Sequence, residues 1–146
     1  MEYSFSEKRV CNAFSRLTGK SRYMTFDSSG TIAAGSSAQF DENGEVAIAA
    51  TNKQNVGVNL AASTSATQAT LDIIDDSSQW RCTTFTGTYA ASYIGQQVDI
   101  TAGLTVALAT STNNDCTVIG GDVAGQTYVD IVFNQGGLAK HVVGVE

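Results

Sequence analysis

Two periodicities divide this chain. Near its start, Val10, Ala13, Phe14 and Leu17 fall at i, i+3, i+4 and i+7, the spacing of one face of a helix. Ser4 with Glu7 has the S-x-x-E form of a capping box, and Gly19 supplies a stop, so the spacing predicts an amphipathic helix from Ser4 to Leu17. A helix of about 14 residues is marginal alone in water, so its apolar stripe must dock. It packs either on the chain's own body or, as an arm, on a neighbouring subunit.

Beyond residue 37 the apolar positions alternate. Ala38 to Phe40 and Glu45 to Ala50 flank Asn43-Gly44, which predicts a hairpin with a tight turn of positive φ. Val56, Val58 and Leu60 alternate with Gly57 and Asn59 as a half-buried strand would. The Ser, Thr and Ala run at 61–70 has no stripe and predicts a surface loop. Thr70 to Ile74 and Trp80 to Phe85 predict a further strand pair. Val98 and Ile100, Leu104 to Ala109, Cys116 to Ile119, and Val129, Ile131 and Phe133 predict four more strands, parted by turns at Asn113-Asn114-Asp115 and at 120–126. Val142, Val143 and Val145 predict a last strand. Strands at spacings of order ten residues after one initial helix are the pattern of a small antiparallel β-barrel or sandwich preceded by an N-terminal helix or arm. The predicted organisation is an arm at 1–22, a loose Ser/Gly/Ala connector at 23–37, and one β domain at 38–146.

Composition agrees with that reading. The chain has 146 residues, enough for one domain whose core needs no metal or disulfide. It holds 17 Thr, 14 Ser and 14 Gly with no proline, and 21 Ile plus Val against 6 Leu, an excess of β-branched side chains that favours strands. The net charge of −6 is uneven. Residues 1–22 carry five cations against two carboxylates, a local +3 that leaves −9 for the rest. An acidic body repels phosphate backbones, so nucleic acid is not an expected partner. No apolar run is long enough for a membrane span, and the first 23 residues lack the apolar core of a secretory signal, so neither membrane insertion nor secretion is expected.

The chemistry-bearing residues do not converge in sequence. Cys11, Cys82 and Cys116 are far apart, without C-x-x-C spacing, and read as buried thiols rather than metal ligands. His141 is the single histidine and lacks a nearby nucleophile motif. Asp75-Asp76 and Asp41-Glu42 are adjacent carboxylates, which on a strand point to opposite faces. Asp41 to Glu45 lacks the register of a calcium loop, and the glycines at 95, 120, 121 and 125 form no phosphate cradle. No enzyme activity, metal or cofactor is expected.

From Tyr93 to Phe133 the order of elements is distinctive: Tyr93 to Ile100 (YIGQQVDI), a short strand, the Asn/Asp turn, Val118-Ile119-Gly120-Gly121-Asp122, then Tyr128 to Asn134 (YVDIVFN). This resembles the small head decoration, or cement, proteins of tailed bacteriophages. The resemblance covers about 40 residues. It implies a noncatalytic virion protein, made in the host bacterial cytoplasm, that binds the outer capsid surface and stabilises the lattice. The implied partners are the major capsid protein and further copies of the chain, as a trimer or another symmetric oligomer. Such a protein works by adhesion, and its candidate anchors are the aromatic and basic residues of the first segment: Tyr3, Phe5, Lys8, Arg9, Phe14, Arg16, Arg22 and Tyr23. Two other roles fit a β body: a tail or head-tail component, and a carbohydrate- or receptor-binding module with Trp80, Tyr89 and Tyr93 as its aromatic cluster.

Overall fold

Burial along the strands follows the two-residue period. Val129, Ile131 and Phe133 are buried while Asp130 and Val132 between them are half-buried, so one face of this strand points into a core. The structure is a computed structural model that describes residues 13–48, 55–63, 68–75 and 78–134. It is mainly β, with two sheets packed as a sandwich. The larger sheet has seven strands in the order β1 (Phe14–Arg16), β7 (Trp80–Cys82), β12 (Val129–Phe133), β11 (Cys116–Gly121), β9 (Gln97–Thr101), β10 (Thr105–Ala107), β8 (Phe85–Thr86). Only the β8–β10 pair is parallel. The smaller sheet is antiparallel throughout, in the order β2 (Tyr23–Asp27), β6 (Gln68–Ile73), β5 (Gly57–Asn59), β3 (Ser37–Phe40), β4 (Val46–Ile48). A single bridge, Ser28 to Val46, links the end of β2 to β4 and leaves the barrel unclosed.

The smaller sheet contributes to two cores, and β6 alternates cleanly, with Ala69, Leu71 and Ile73 on one face and Gln68, Thr70 and Asp72 on the other. On one face, Val58 and Ile74 join Phe14, Trp80, Val98, Val118, Ile131 and Phe133 in the main core between the sheets. On the other, Ala38, Val46, Val56, Ala69, Leu71 and Ile73 form a second core with Phe26 and Phe40 packed against it. Ile32 closes this second core. It has no solvent exposure and is held by a bridge to Ser63 and by the Asn59 side chain, whose Nδ2 donates to the carbonyls of Ile32 (3.1 Å) and Ala61 (2.7 Å). The stretch 23–37, expected to be a loose connector, therefore holds β2 and a core residue. The Ser/Thr run at 61–70, expected to be loop, supplies the Ser63 bridge and the start of β6.

The predicted N-terminal helix is not supported. Its last turn, Phe14 to Arg16, is an extended edge strand paired with β7, and residues 1–12 lie outside the described residues. In extended form Phe14 and Arg16 both point between the sheets. Phe14 meets the ring of Phe133 at 5.2 Å, and Arg16 lies over Trp80 at 4.6 Å. Arg16 then crosses to the smaller sheet: Nε and Nη2 donate to the two oxygens of Asp72 at 3.1 and 2.8 Å, and Nη2 also donates to the Ile73 carbonyl. These tertiary contacts outweigh a helical preference that was marginal from the start. The expected last strand at 142–145 lies outside the described residues.

The turns also depart from sequence expectation in one respect. At Asp41 to Glu45 only Gly44 has positive φ, and the Asp41 Oδ1 accepts the N–H groups of Asn43 and Glu45, each at 2.9 Å. The turn with two consecutive positive φ angles is instead Ala102-Gly103 (55° and 70°) between β9 and β10. Its tip docks on the smaller sheet through the Ser37 N–H, which donates to the Gly103 carbonyl at 2.7 Å.

Replacing Ala102 by Gly removes a Cβ from left-handed backbone and is expected to raise stability by about 1 kcal/mol, read as a higher urea midpoint at unchanged m-value. Arg16→Ala is expected to cost roughly 3 kcal/mol, because it leaves the Asp72 carboxylate buried without its cation. The double variant with Asp72→Ala should cost less than the two single changes together. A loss under about 1 kcal/mol for Arg16→Ala would show that the sheets hold together without this pair.

Candidate interaction surface

The eight residues expected to contact a partner separate into three groups. Phe14 is 2% exposed and Arg16 is spent on Asp72, so both serve the body and neither is presented on its surface. Tyr3, Phe5, Lys8 and Arg9 lie outside the described residues. Arg22 and Tyr23 are exposed, Tyr23 at 59%.

The path of the chain explains why these two stand out. After Arg16 turns inward, Leu17 points outward at 41% exposure. Gly19 then turns with φ of +87°, and a Cβ there would lie 2.9 Å from Arg16 Nη1, so a side chain would press on the buried pair. Lys20 is exposed, Ser21 Oγ donates to Asp72 Oδ2 at 3.1 Å, and the Arg22 carbonyl accepts the Ile73 N–H at 2.9 Å. That hydrogen bond fixes the ladder. With Tyr23 opposite Asp72, the N–H and C=O groups of Tyr23 and Thr25 face away from β6, toward the open edge of the sheet. Met24 follows at 42% exposure.

The result is an exposed strip of chain, Leu17, Lys20, Arg22, Tyr23 and Met24, that spans both faces of the edge strand, with Tyr23 on the face opposite Arg22 and Met24. It contrasts with the rest of the surface. The described residues contain four cations, and two are committed to ion pairs: Arg16 with Asp72, and Arg81 with Asp130 at 2.9 Å beneath the Tyr128 ring. Lys20 and Arg22 form no ion pair among the described residues, against ten carboxylates. The strip also holds three of the six large apolar side chains that are exposed among the described residues. Apolar contact area beside unneutralised positive charge is suited to adhesion to an acidic surface. Sequence patterning found Arg22 and Tyr23 through the basic segment and placed Leu17 on an apolar stripe that must dock, but it gave no sign of Met24.

The other candidates become structural. Trp80 and Tyr89 are 1% and 2% exposed, and Tyr93 packs against the main core, so the proposed sugar-binding aromatics do not form an exposed cluster. Tyr89 lies on Gly121, where a Cβ would come within 2.7 Å of its ring. Cys82 and Cys116 are buried free thiols; loss of solvation pushes Cys82 up to about 11 and Cys116 well above its ordinary value, so both resist forming the reactive thiolate. Among the described residues no three His, Cys, Asp or Glu side chains gather as a metal set, and no helix is long and apolar enough to cross a membrane.

One carboxylate pair went unnoticed in the sequence because its members are on different elements. Asp99, in β9, accepts the N–H groups of Thr112, Asn113 and Asn114 at 2.7 to 3.1 Å and so pins the turn before β11. Asp115 accepts the Ile100 N–H at 2.8 Å in return. Both are under 10% exposed, at 7% and 8%. Burial, and secondarily the nearby Asp99 charge, raise the Asp115 carboxyl above its ordinary value.

Comparison with known proteins finds no family model and no curated protein that matches this chain.

The raised Asp115 carboxyl means that the folded protein holds this proton to higher pH than the unfolded chain does. Ionised Asp115 therefore opposes folding near neutrality, and its contribution improves as pH falls through the folded value toward the ordinary carboxylate range. Asp115→Asn is expected to be more stable than the parent at pH 7, with the gap narrowing toward pH 4. A gap that widens on acidification would show that Asp115 acts chiefly as a stabilising acceptor for Ile100.

Proposed function

We propose that the protein is a noncatalytic virion structural protein that attaches to the outer surface of a phage head and stabilises the capsid lattice. The observation that carries the reading is the exposed basic and apolar strip at Leu17 to Met24. It continues the positive charge of the first segment onto the edge of an acidic β sandwich. An adhesive role needs surfaces that together bury about 1,000 Å² or more, and the strip and residues 1–12 both join positive charge with aromatic side chains. The similarity of Tyr93 to Asn134 to head decoration proteins supports the same role. Repetition over a symmetric lattice converts a modest contact per copy into persistent decoration. The Ser- and Thr-rich composition suits a protein that faces solvent on a particle.

The structure changes where an arm can be cut. Removing residues 1–22 would also remove β1 and the Arg16–Asp72 pair, so a loss of binding would report unfolding. Residues 1–12 can be deleted ahead of Ala13 without touching either. Deleting them, or changing Arg22 and Tyr23 together to Ala, is expected to weaken decoration of empty heads built from the coat protein of the same genome by tenfold or more. Occupancy per head is read by cryo-electron microscopy across a concentration series. Unchanged occupancy in both variants, or density confined to the tail end of the particle, would overturn the reading.

A further inference from the structure

The tip of the β3–β4 hairpin holds Asn43 and Gly44, the pair that marks the turn in the sequence, and both are exposed. An asparagine before glycine is a reactive pair. The side-chain carbon Cγ of Asn43 lies one five-membered ring away from the Gly44 backbone nitrogen, and glycine has no Cβ to shield that nitrogen. The surroundings are open as well, since a Cβ built on Gly44 would meet no atom within 4 Å. Among the described residues no hydrogen bond restrains the Asn43 side-chain amide, so it can turn toward Gly44. The restraint falls on the backbone instead. The Gly44 N–H donates to the Asp41 carbonyl at 3.1 Å, and Asp41 Oδ1 accepts the N–H groups of Asn43 and Glu45, on either side of Gly44, at 2.9 Å each. Nucleophile and electrophile are adjacent, and one residue, Asp41, holds the nucleophile back.

We propose that Asn43-Gly44 is a self-modification site, at which the Gly44 backbone nitrogen displaces ammonia from the Asn43 side chain, and that Asp41 is the positioning residue that sets its pace. The reaction is independent of what the strip binds and needs only water. The Gly44 nitrogen gives its proton to hydroxide and forms a bond to Asn43 Cγ. The bond from Cγ to the side-chain nitrogen breaks, that nitrogen takes a proton from water and leaves as ammonia, and a succinimide ring is closed. Water then opens the ring at one of its two carbonyls. Attack at Cγ restores an ordinary backbone with aspartate at position 43, and attack at the other carbonyl leaves the main chain running through the side chain, as isoaspartate. One water enters and one ammonia departs, with no oxidation or reduction. Either product adds a negative charge beside Asp41, Glu42 and Glu45. Isoaspartate also lengthens the tip by one methylene, two residues ahead of Val46, which has no solvent exposure, pairs with Phe40 and accepts the Ser29 N–H at 2.9 Å. Chemistry at an exposed tip thereby reaches the joint between β2 and β4.

Incubating the folded full chain above neutral pH and mapping it by mass spectrometry tests the site. Trypsin releases the tip in the peptide 23–53, fragmentation places the change, and an isoaspartate-specific methyltransferase reports the rearranged product. Conversion at position 43 is expected to outrun that at the other asparagines and to rise with pH, because the attacking nitrogen must lose its proton. Asn43→Gln, whose side chain would have to close a larger ring, should abolish it. Asp41→Ala should speed conversion about tenfold, the factor by which losing two hydrogen bonds of ordinary net worth loosens the tip. The other asparagines should keep their rates, and Asp41→Asn, which retains an acceptor oxygen, should return the parent rate. Circular dichroism melts confirm that each variant folds. A folded parent that keeps its amide at position 43 while the urea-unfolded chain loses it would overturn the site. An Asp41→Ala rate equal to the parent's, or an acceleration shared by every asparagine, would overturn the role of Asp41.

Discussion

The Arg16–Asp72 contact is the interaction on which the two-sheet arrangement turns. The pair is largely withdrawn from water, with each side chain about 8% exposed, so each charge depends on the other. The guanidinium is planar and offers several donors in fixed directions, which lets one side chain hold a carboxylate, a backbone carbonyl and the Trp80 face at once. A lysine could supply the charge but not that set of directions. Because Arg16 belongs to an edge strand of one sheet and Asp72 to the second strand of the other, the pair sets their relative position at that corner. The Gly103–Ser37 hydrogen bond ties the sheets at a second point.

The same contact explains why the exposed strip lies where it does. The segment that delivers Arg16 must leave the larger sheet, turn at Gly19 and enter the smaller one as β2. Its alternate residues cannot all face inward, and the inward positions are taken by Phe14, Arg16 and Ser21. Leu17, Lys20 and Arg22 are left outside by geometry. Buried and exposed residues are interleaved in one short stretch, which is why sequence reading grouped them together.

Much of the β body was legible because period-two alternation survives wherever one face of a strand is buried and the other is not. Val98 with Ile100 and Val129 with Ile131 and Phe133 are such cases. The smaller sheet was harder to read. The start of β6 was hidden in a Ser/Thr/Ala run, and Ile32 in a Ser/Gly-rich stretch gave no periodic signal. The first segment misled for a different reason. Val10, Ala13, Phe14 and Leu17 satisfy helical spacing, while Phe14 and Arg16 satisfy strand spacing only once an arginine is allowed into the interior. Its partner, Asp72, is 56 residues away, and no local pattern announces it. Of the surface, charge asymmetry pointed to Arg22 and Tyr23.

That 56-residue separation also bears on how the chain is made. On a ribosome, β1 emerges before β7, with which it pairs, and before Asp72, which neutralises Arg16. Until then an edge strand carrying Phe14 waits with its backbone groups unpaired. Sandwiches built from such distant pairings have high contact order and fold slowly, and their waiting edges invite association between nascent chains. The cationic Arg16 at the end of that strand is the kind of charge with which natural sheets protect their edges. One arginine thus serves first as a guard against premature pairing and later as the clasp between the sheets.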